Sequence, residues 1–295
     1  MRTAVTGASG YLGRSYMKMY SSTRDFIALS RSEGASDHAD GTEYLSTDYS
    51  VESLKEIFRG CDSVVHLAYA MAVKENEQRG LEAYRSSMEA TENVLKAAHE
   101  LGISNIVFAS SRMVYPAHSP EPFREDGETA PGSAYGKSKV MMEELCMDYN
   151  KKGAAVKVLR FGQIIGAGMK VRGLFQVFVE NAMNNEPLTM YGSDVRDYLY
   201  IKDACGAIEA ALSHPEAAGI YNISMGTGTD NRLMARAAIE AAGSSSEILT
   251  KETGSNYVPS RIVLDCSKAD RELGFRCRYA TIYDVISDAV SEWNS

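Results

Sequence analysis

Tyr135 and Lys139 stand four residues apart in Tyr135-Gly136-Lys137-Ser138-Lys139. On a helix that spacing puts both side chains on one face. A free tyrosine titrates near pH 10 (about 10), too high for an efficient base at neutral pH. A neighbouring ammonium favours the phenolate, so Lys139 is expected to lower it. Such a pair suits a general acid/base that exchanges a proton with a substrate oxygen. Ser111, at the end of a predicted strand, can donate a hydrogen bond to the same oxygen as it gains negative charge. Ser111, Tyr135 and Lys139 are the predicted catalytic residues.

A second feature sits at the N-terminal end. Thr6-Gly7-Ala8-Ser9-Gly10-Tyr11-Leu12-Gly13 follows an apolar run and opens an amphipathic stretch. In this T-G-x-x-G-x-x-G spacing, Gly7 permits a tight turn and Gly10 lets backbone approach a pyrophosphate. Gly13 allows close packing of helix on strand. The helix start, through Tyr11 and Leu12, adds N–H groups and a positive dipole for the phosphates. With a dinucleotide there, oxidised nicotinamide adds positive charge beside Tyr135, and Lys139 can also hold the ribose hydroxyls. The chemistry implied is hydride transfer at a carbonyl or alcohol. The second apolar run ends Leu29-Ser30-Arg31-Ser32, with no carboxylate until Glu33. Arg31 can pair with a ribose 2′-phosphate. This favours NADP(H), with NAD(H) left open.

These residues need a frame. Arg2–Thr6, Phe26–Ser30, Ser63–Leu67, Ile106–Ala109 and Val156–Phe161 read as buried strands, with a weaker one at Glu43–Leu45. Helical patterns lie between them at Tyr11–Tyr20, Val51–Phe58, Gly80–Leu101 and Ala134–Tyr149. The alternation predicts an α/β fold, a Rossmann-type doubly wound parallel sheet with helices on both faces. After Gly162 the pattern loosens. A helix at Leu174–Asn184, strands at Leu188–Met190 and Tyr198–Ile201, a helix at Asp203–Leu212 and a strand at Ile220–Ile223 suggest a smaller, interleaved C-terminal substrate lobe. The expected division is 1–165 for the nucleotide-binding domain, rejoined by roughly 198–224, with 166–295 mainly substrate-binding.

Composition narrows the classes. The chain has 295 residues, 44% hydrophobic and 24% charged, ordinary for a globular protein. A net charge of -8 argues against nucleic acid as a partner. No apolar run is long enough to span a membrane, and the first residues lack a signal-peptide pattern, so a cytoplasmic location is expected. Five cysteines without C-x-x-C spacing or nearby histidines give no metal site and no disulfide framework. His66, inside an apolar strand, reads as a satisfied core residue; Met17, Met19, Met141 and Met142 read as packing.

In order and spacing, these segments resemble the extended short-chain dehydrogenase/reductase family of nucleotide-sugar epimerases, dehydratases and reductases. Val64-Val65-His66-Leu67-Ala68 resembles its fourth-strand motif along the cofactor, which brings in Leu67, Ala68 and Tyr69; Asp48 falls where the family contacts adenine. Ser110-Ser111-Arg112-Met113-Val114-Tyr115 resembles its S-S-x-x-V-Y segment and Tyr135 to Lys139 its Y-x-x-x-K helix. Arg196-Asp197-Tyr198 with Asp203, and Ser267-Lys268-Ala269 with Glu272-Leu273-Gly274-Phe275, resemble its later elements. The resemblance implies a nucleotide-sugar substrate touched by Ser111, Arg112, Met113, Gln163 and Arg196, and a homodimer through the Gly80–Leu101 and Ala134–Tyr149 helices.

Departures refine this. The family's dehydratases carry Asp-Glu directly after the Ser/Thr; here stand Arg112 and Met113, which disfavours 4,6-dehydration. Ser87, Gln163 and Ala167 replace an asparagine, an asparagine and a proline of the family pattern, and only Arg261 lies near its late arginine. Two activities through a 4-keto/4-hydroxy sugar remain: a 4-keto reductase, toward which Arg31 leans, and a 4-epimerase with retained NAD. An NADP-dependent reductase of a non-nucleotide carbonyl and a non-catalytic NADP sensor are the readings outside that class.

Overall fold

The computed structural model describes residues 1–31, 44–116, 122–169, 172–254, 257 and 260–293. Seven parallel strands form the main sheet: β1 (Arg2–Thr6), β2 (Asp25–Ser30), β3 (Tyr44–Ser46), β4 (Ser63–His66), β5 (Asn105–Ser111), β6 (Ala155–Phe161) and β10 (Gly219–Ile223). Their order is β10-β6-β5-β4-β1-β2-β3. The expected Rossmann-type doubly wound sheet is the fold observed. Because side chains alternate along a strand, each central strand buries both faces. Ala4, Val64, Ile106, Phe108 and Val156 pack on one side, with Leu54, Leu95 and Cys146. Val5, Val65, Val107 and Leu159 pack on the other, with Tyr16, Cys205 and Ile208.

The first core is covered by α2 (Val51–Phe58), α4 (Arg85–Glu100) and α5 (Ala134–Lys151); the second lies under α1 (Tyr11–Tyr20) and α7 (Ile201–Leu212). A short α3 (Lys74–Arg79) and a 3-10 turn at Gly80–Tyr84 precede α4, so the predicted Gly80–Leu101 helix is broken at its start. The expected strand at Glu43–Leu45 is β3; Glu43 itself, like Glu33, lies outside the described residues.

The chain leaves the sheet after Phe161. It forms β7 (Gln163–Ile165), α6 (Leu174–Met183), β8 (Leu188–Tyr191), β9 (Val195–Tyr200) and α7, then returns as β10 beside β6. It leaves again for β11 (Gly228–Asp230), α8 (Asn231–Ala242), β12 (Ile248–Lys251), β13 (Arg261–Ile262), α9 (Ser267–Leu273) and α10 (Ile282–Trp293). β9 pairs with β7, β11 and β13, while β8 pairs with β12. The sequence pattern predicts no helix for the segments that form α8 to α10, although α9 carries the Ser267-Lys268-Ala269…Glu272-Leu273 element. Among the described residues no helix is long and apolar enough to cross a membrane.

Strand order reverses at β1, whose neighbours are β2 and β4. Open parallel sheets bind ligands in the crevice beyond the strand C-termini at such a reversal.

Candidate active site

Gly7 takes a left-handed φ of +66°, and a Cβ on it would stand 2.6 Å from the Ala68 nitrogen. Only a glycine lets the first turn lie against the backbone leaving β4. Gly10 is the N-cap of α1, and Gly13 is buried against Gly7 and Ala8. The first turn of α1 has neither a side-chain cap nor an acidic residue, whereas α2, α5 and α8 are capped by Ser50, Ser133 and Asp230. Uncapped N–H groups on a glycine turn form an anion-binding helix start.

Beside it opens a cavity of about 350 Å³ lined by Gly7, Gly10, Arg31, Asp48, Leu67, Ala68 and Tyr69, with Ser87 and Ala90. Seven residues predicted from sequence to contact the cofactor therefore share one cavity. These glycines and the carboxylate and arginine at the rim fit a dinucleotide. Asp48 is exposed, and the Ser50 N–H donated to it at 2.8 Å holds its pKa down. Tyr11 points elsewhere: its hydroxyl donates to the Ala167 carbonyl at 2.8 Å and ties α1 to the segment after β7. Leu12 packs into the core.

His66 ends β4 one residue before Leu67, which lines this cavity. Thr91 Oγ1 donates to the Ser87 carbonyl (2.8 Å), so it accepts from His66 Nε2 (2.9 Å). His66 Nδ1 is then the acceptor from Thr6 Oγ1 (2.6 Å), which itself accepts from the Ala68 N–H (3.3 Å). Burial, aided by the Lys139 charge, holds the imidazole pKa down at about 3. The expected satisfied core histidine is what the structure contains.

Ser111 ends β5 and Tyr135 opens α5. A Cβ on Gly136 would fall 2.2 Å from the Met113 carbonyl, so only glycine there lets α5 sit this close to the segment after Ser111. The Ser111 side chain lies close enough to the Tyr135 hydroxyl to favour its ionisation. Lys139 is buried beneath; its Nζ donates to the Ala109 carbonyl at 2.8 Å and lies 3.5 Å above the Tyr69 ring, 5.6 Å from that of Tyr135. The three predicted catalytic side chains come together, but their protonation differs from the expectation. Burial pushes Tyr135 up to about 12, helped by Tyr69 and opposed only by Ser111. Burial likewise holds Lys139 down at about 7, against the pull of Glu143. The ammonium serves Ala109 and the Tyr69 ring, so desolvation of the phenol outweighs it.

The residues that support this trio left little trace in the sequence. Glu77 on α3 accepts the N–H groups of Ala134 (2.8 Å) and Tyr135 (3.0 Å) and the Tyr84 hydroxyl (2.7 Å). Burial opposes its ionisation, but these donors outweigh that and lower its pKa. Tyr84 is fully buried, its ring centroid 5.8 Å from that of Tyr135. Behind Lys139, Glu143 pairs with Arg160 at 2.7 Å, both nearly inaccessible, and Ser110 also donates to Glu143. Arg160 reaches the Tyr115 hydroxyl at 2.9 Å.

Facing the trio, Arg112 donates to Gln163 Oε1 at 3.3 Å, and Gln163 pairs with Tyr198 through β7 and β9. Arg196 on β9 donates to Ser260 (2.8 Å) and pairs with Asp194 (3.3 Å). Arg112, Gln163 and Arg196, predicted as substrate contacts, therefore lie near one another. Met113 takes part through its backbone: its N–H donates to Ser111 Oγ at 3.2 Å, and its side chain is exposed. Among the described residues no group of acidic, histidine or cysteine side chains could hold a metal ion.

A parallel sheet with a glycine turn at its reversal point and a Ser-Tyr-Lys cluster two strands over defines an oxidoreductase-type nucleotide-binding enzyme. Residues 3–224 match the NAD dependent epimerase/dehydratase family, and the chain belongs to it, within the extended short-chain dehydrogenases/reductases. It is similar to a UDP-glucose 4-epimerase of Azospirillum brasilense, 26% identical over 98% of this chain and 91% of the relative. It also resembles a dTDP-glucose 4,6-dehydratase of Streptomyces griseus, 28% identical over 75% of this chain and 68% of that one. Among solved structures, a UDP-N-acetylglucosamine 4-epimerase from Bacillus cereus superposes with a TM-score of 0.88 at 28% identity, covering 100% of this chain and 97% of that one.

Proposed function

We propose that the protein is a nucleotide-sugar 4-epimerase that retains NAD. The observation that carries this is the gathering of Ser111, Tyr135 and Lys139 at the ends of β5 and α5, with Arg112 and Met113 where a dehydratase has its acid pair. Ser111 orients the 4-hydroxyl and stabilises negative charge on its oxygen; Tyr135 takes the proton as C4 becomes a ketone and returns it afterwards. Lys139, held by the Ala109 carbonyl beneath Tyr69, would reach the ribose hydroxyls of the bound dinucleotide. The glycine turn, Asp48, Leu67, Ala68 and Tyr69 hold NAD, which when bound supplies the hydride acceptor and donor. Arg196 grips the diphosphate from the later lobe. Both 4-epimerases and 4,6-dehydratases match nearly the whole chain, so it is Arg112 and Met113 that favour epimerisation over dehydration.

Arg31 at the cavity rim supports a second reading, an NADP(H)-linked 4-keto reductase. One preparation tests both. Release of nicotinamide from denatured protein, with interconversion of a UDP-hexose and its 4-epimer without added cofactor, supports the epimerase. Stoichiometric NADPH consumption with a 4-keto-6-deoxy sugar supports the reductase. Tyr135→Phe should abolish either; turnover within a few-fold of wild type would overturn the mechanism. The same reading includes a cytoplasmic homodimer through α4 and α5, where Met141 remains exposed, and sedimentation tests the dimer.

A further inference from the structure

Tyr69 touches two regions that the chemistry needs joined. It lines the glycine-turn cavity, whose described walls include neither Ser111, Tyr135 nor Lys139. The same ring lies 3.5 Å from Lys139 Nζ and edge-on to the ring of Tyr135, with 6.2 Å between centroids. Lys139 is 2% exposed. Its Nζ donates to the Ala109 carbonyl at 2.8 Å, and the rings of Tyr69, Phe108 (4.8 Å) and Tyr135 (5.6 Å) lie around it. A ribose hydroxyl must come within about 3 Å of that ammonium to bond it. The Tyr69 ring occupies the approach from the cavity.

What can move there is the side chain, because the backbone on both sides is tied. The Ala68 N–H donates to Thr6 Oγ1 (3.3 Å) and the Ala70 N–H to Ser87 Oγ (3.0 Å). The Tyr69 hydroxyl is buried without a well-formed hydrogen bond, although Ser138 lies near enough to favour its ionisation. The ring is therefore held by the cation against it and by the Tyr84 ring, stacked with 6.4 Å between centroids. A hydroxyl that accepts a hydrogen bond from the ammonium replaces the attraction of the ring, so the exchange leaves the buried charge compensated. We infer that Tyr69 is a side-chain gate, whose ring covers Lys139 until the nicotinamide ribose of the dinucleotide takes its place. This rests on the reading above that Lys139 holds that ribose.

The test uses NADH, NADPH and ADP as probes on protein freed of bound nucleotide, as wild type, Tyr69→Ala, Tyr69→Leu and Tyr69→Phe. ADP suits the glycine turn and Asp48 but has no second ribose to reach Lys139. By stopped-flow fluorescence, the reduced dinucleotide should associate about tenfold faster with Tyr69→Ala than with wild type, because binding no longer waits on a side chain. ADP affinity, by calorimetry, should change less than about threefold. A second readout needs no nucleotide. A pulse of acetic anhydride, read by mass spectrometry at Lys139, should label Tyr69→Ala about tenfold faster than wild type. Tyr69→Phe keeps the ring and should stay within about threefold of wild type in both rates. Tyr69→Leu removes the aromatic face with less loss of volume, and serves if the alanine variant fails to fold. Unchanged dinucleotide association and Lys139 labelling in these variants would overturn the gate. So would wild-type Lys139 labelling as fast as the exposed Lys137 on the same helix. If no probe binds wild type, the cofactor reading falls and this one with it. If all bind and the Tyr69 substitutions change neither rate, only the gate falls.

Discussion

The backbone N–H of Tyr135 donates to Glu77 Oε1 at 3.0 Å, and the same oxygen accepts the hydroxyl of Tyr84, whose ring abuts that of Tyr135. One carboxylate thus fixes both the start of the helix bearing the acid/base and a ring that flanks it. Glu77→Ala should lower kcat about ten- to a hundredfold with KM within about threefold, because small misplacement of a reacting group is costly. Glu77→Gln, which can still accept one N–H, should recover part of this. Steady-state kinetics well below each variant's melting temperature check it; a lower melting temperature with unchanged kcat would reduce Glu77 to a structural cap.

Two glycines separate cofactor binding from chemistry. Gly7→Ala places a Cβ 2.6 Å from the Ala68 nitrogen at a left-handed φ, and should abolish nicotinamide dinucleotide binding. Gly136→Ala places one 2.2 Å from the Met113 carbonyl and should push α5 away from Ser111. That variant is expected to bind the dinucleotide within about threefold of wild type while losing at least about a hundredfold in kcat. Calorimetric titration with NAD and NADP, followed by kinetics, distinguishes the two effects.

Stability should rise with pH across two windows. His66 has a folded pKa of about 3, below its ordinary 6.5, so the unfolded chain binds the extra proton between those values. Its contribution is present above pH 6.5 and is lost as pH falls toward 3. Lys139 has a folded value of about 7 against 10.5, so the cost of its buried charge is relieved as pH rises between them. Urea midpoints measured from pH 4 to 10 should show both slopes; Lys139→Met should remove its share of the upper one, and His66→Asn should flatten the lower.

Glu143 and Arg160 are a buried pair behind Lys139, with side chains 4% and 3% exposed. Glu143→Gln leaves the guanidinium buried without its anion and should cost about 3–5 kcal/mol of stability. It also withdraws the charge that favours protonated Lys139, so the lysine should titrate lower still. Urea unfolding reads the first effect and the pH dependence of unfolding the second. A loss below about 1 kcal/mol would mean that water replaces the carboxylate.

Local patterns were enough to determine the sheet, the glycine turn and the catalytic trio. Alternating buried strands and helices fix a parallel sheet, the Gly7–Gly13 spacing needs only one strand-to-helix turn, and the Tyr135/Lys139 spacing follows from helix geometry. Tertiary structure decided what depends on distance through space. It brought Glu77 from α3 to the start of α5, a contact across 58 positions that no period announces. It brought Arg112, in the turn after β5, close to Arg196 on β9. It also reversed the expected protonation of Tyr135. The i, i+4 spacing foretold a nearby ammonium, but only packing set how much water both groups lost, and burial is the largest cause of both shifts.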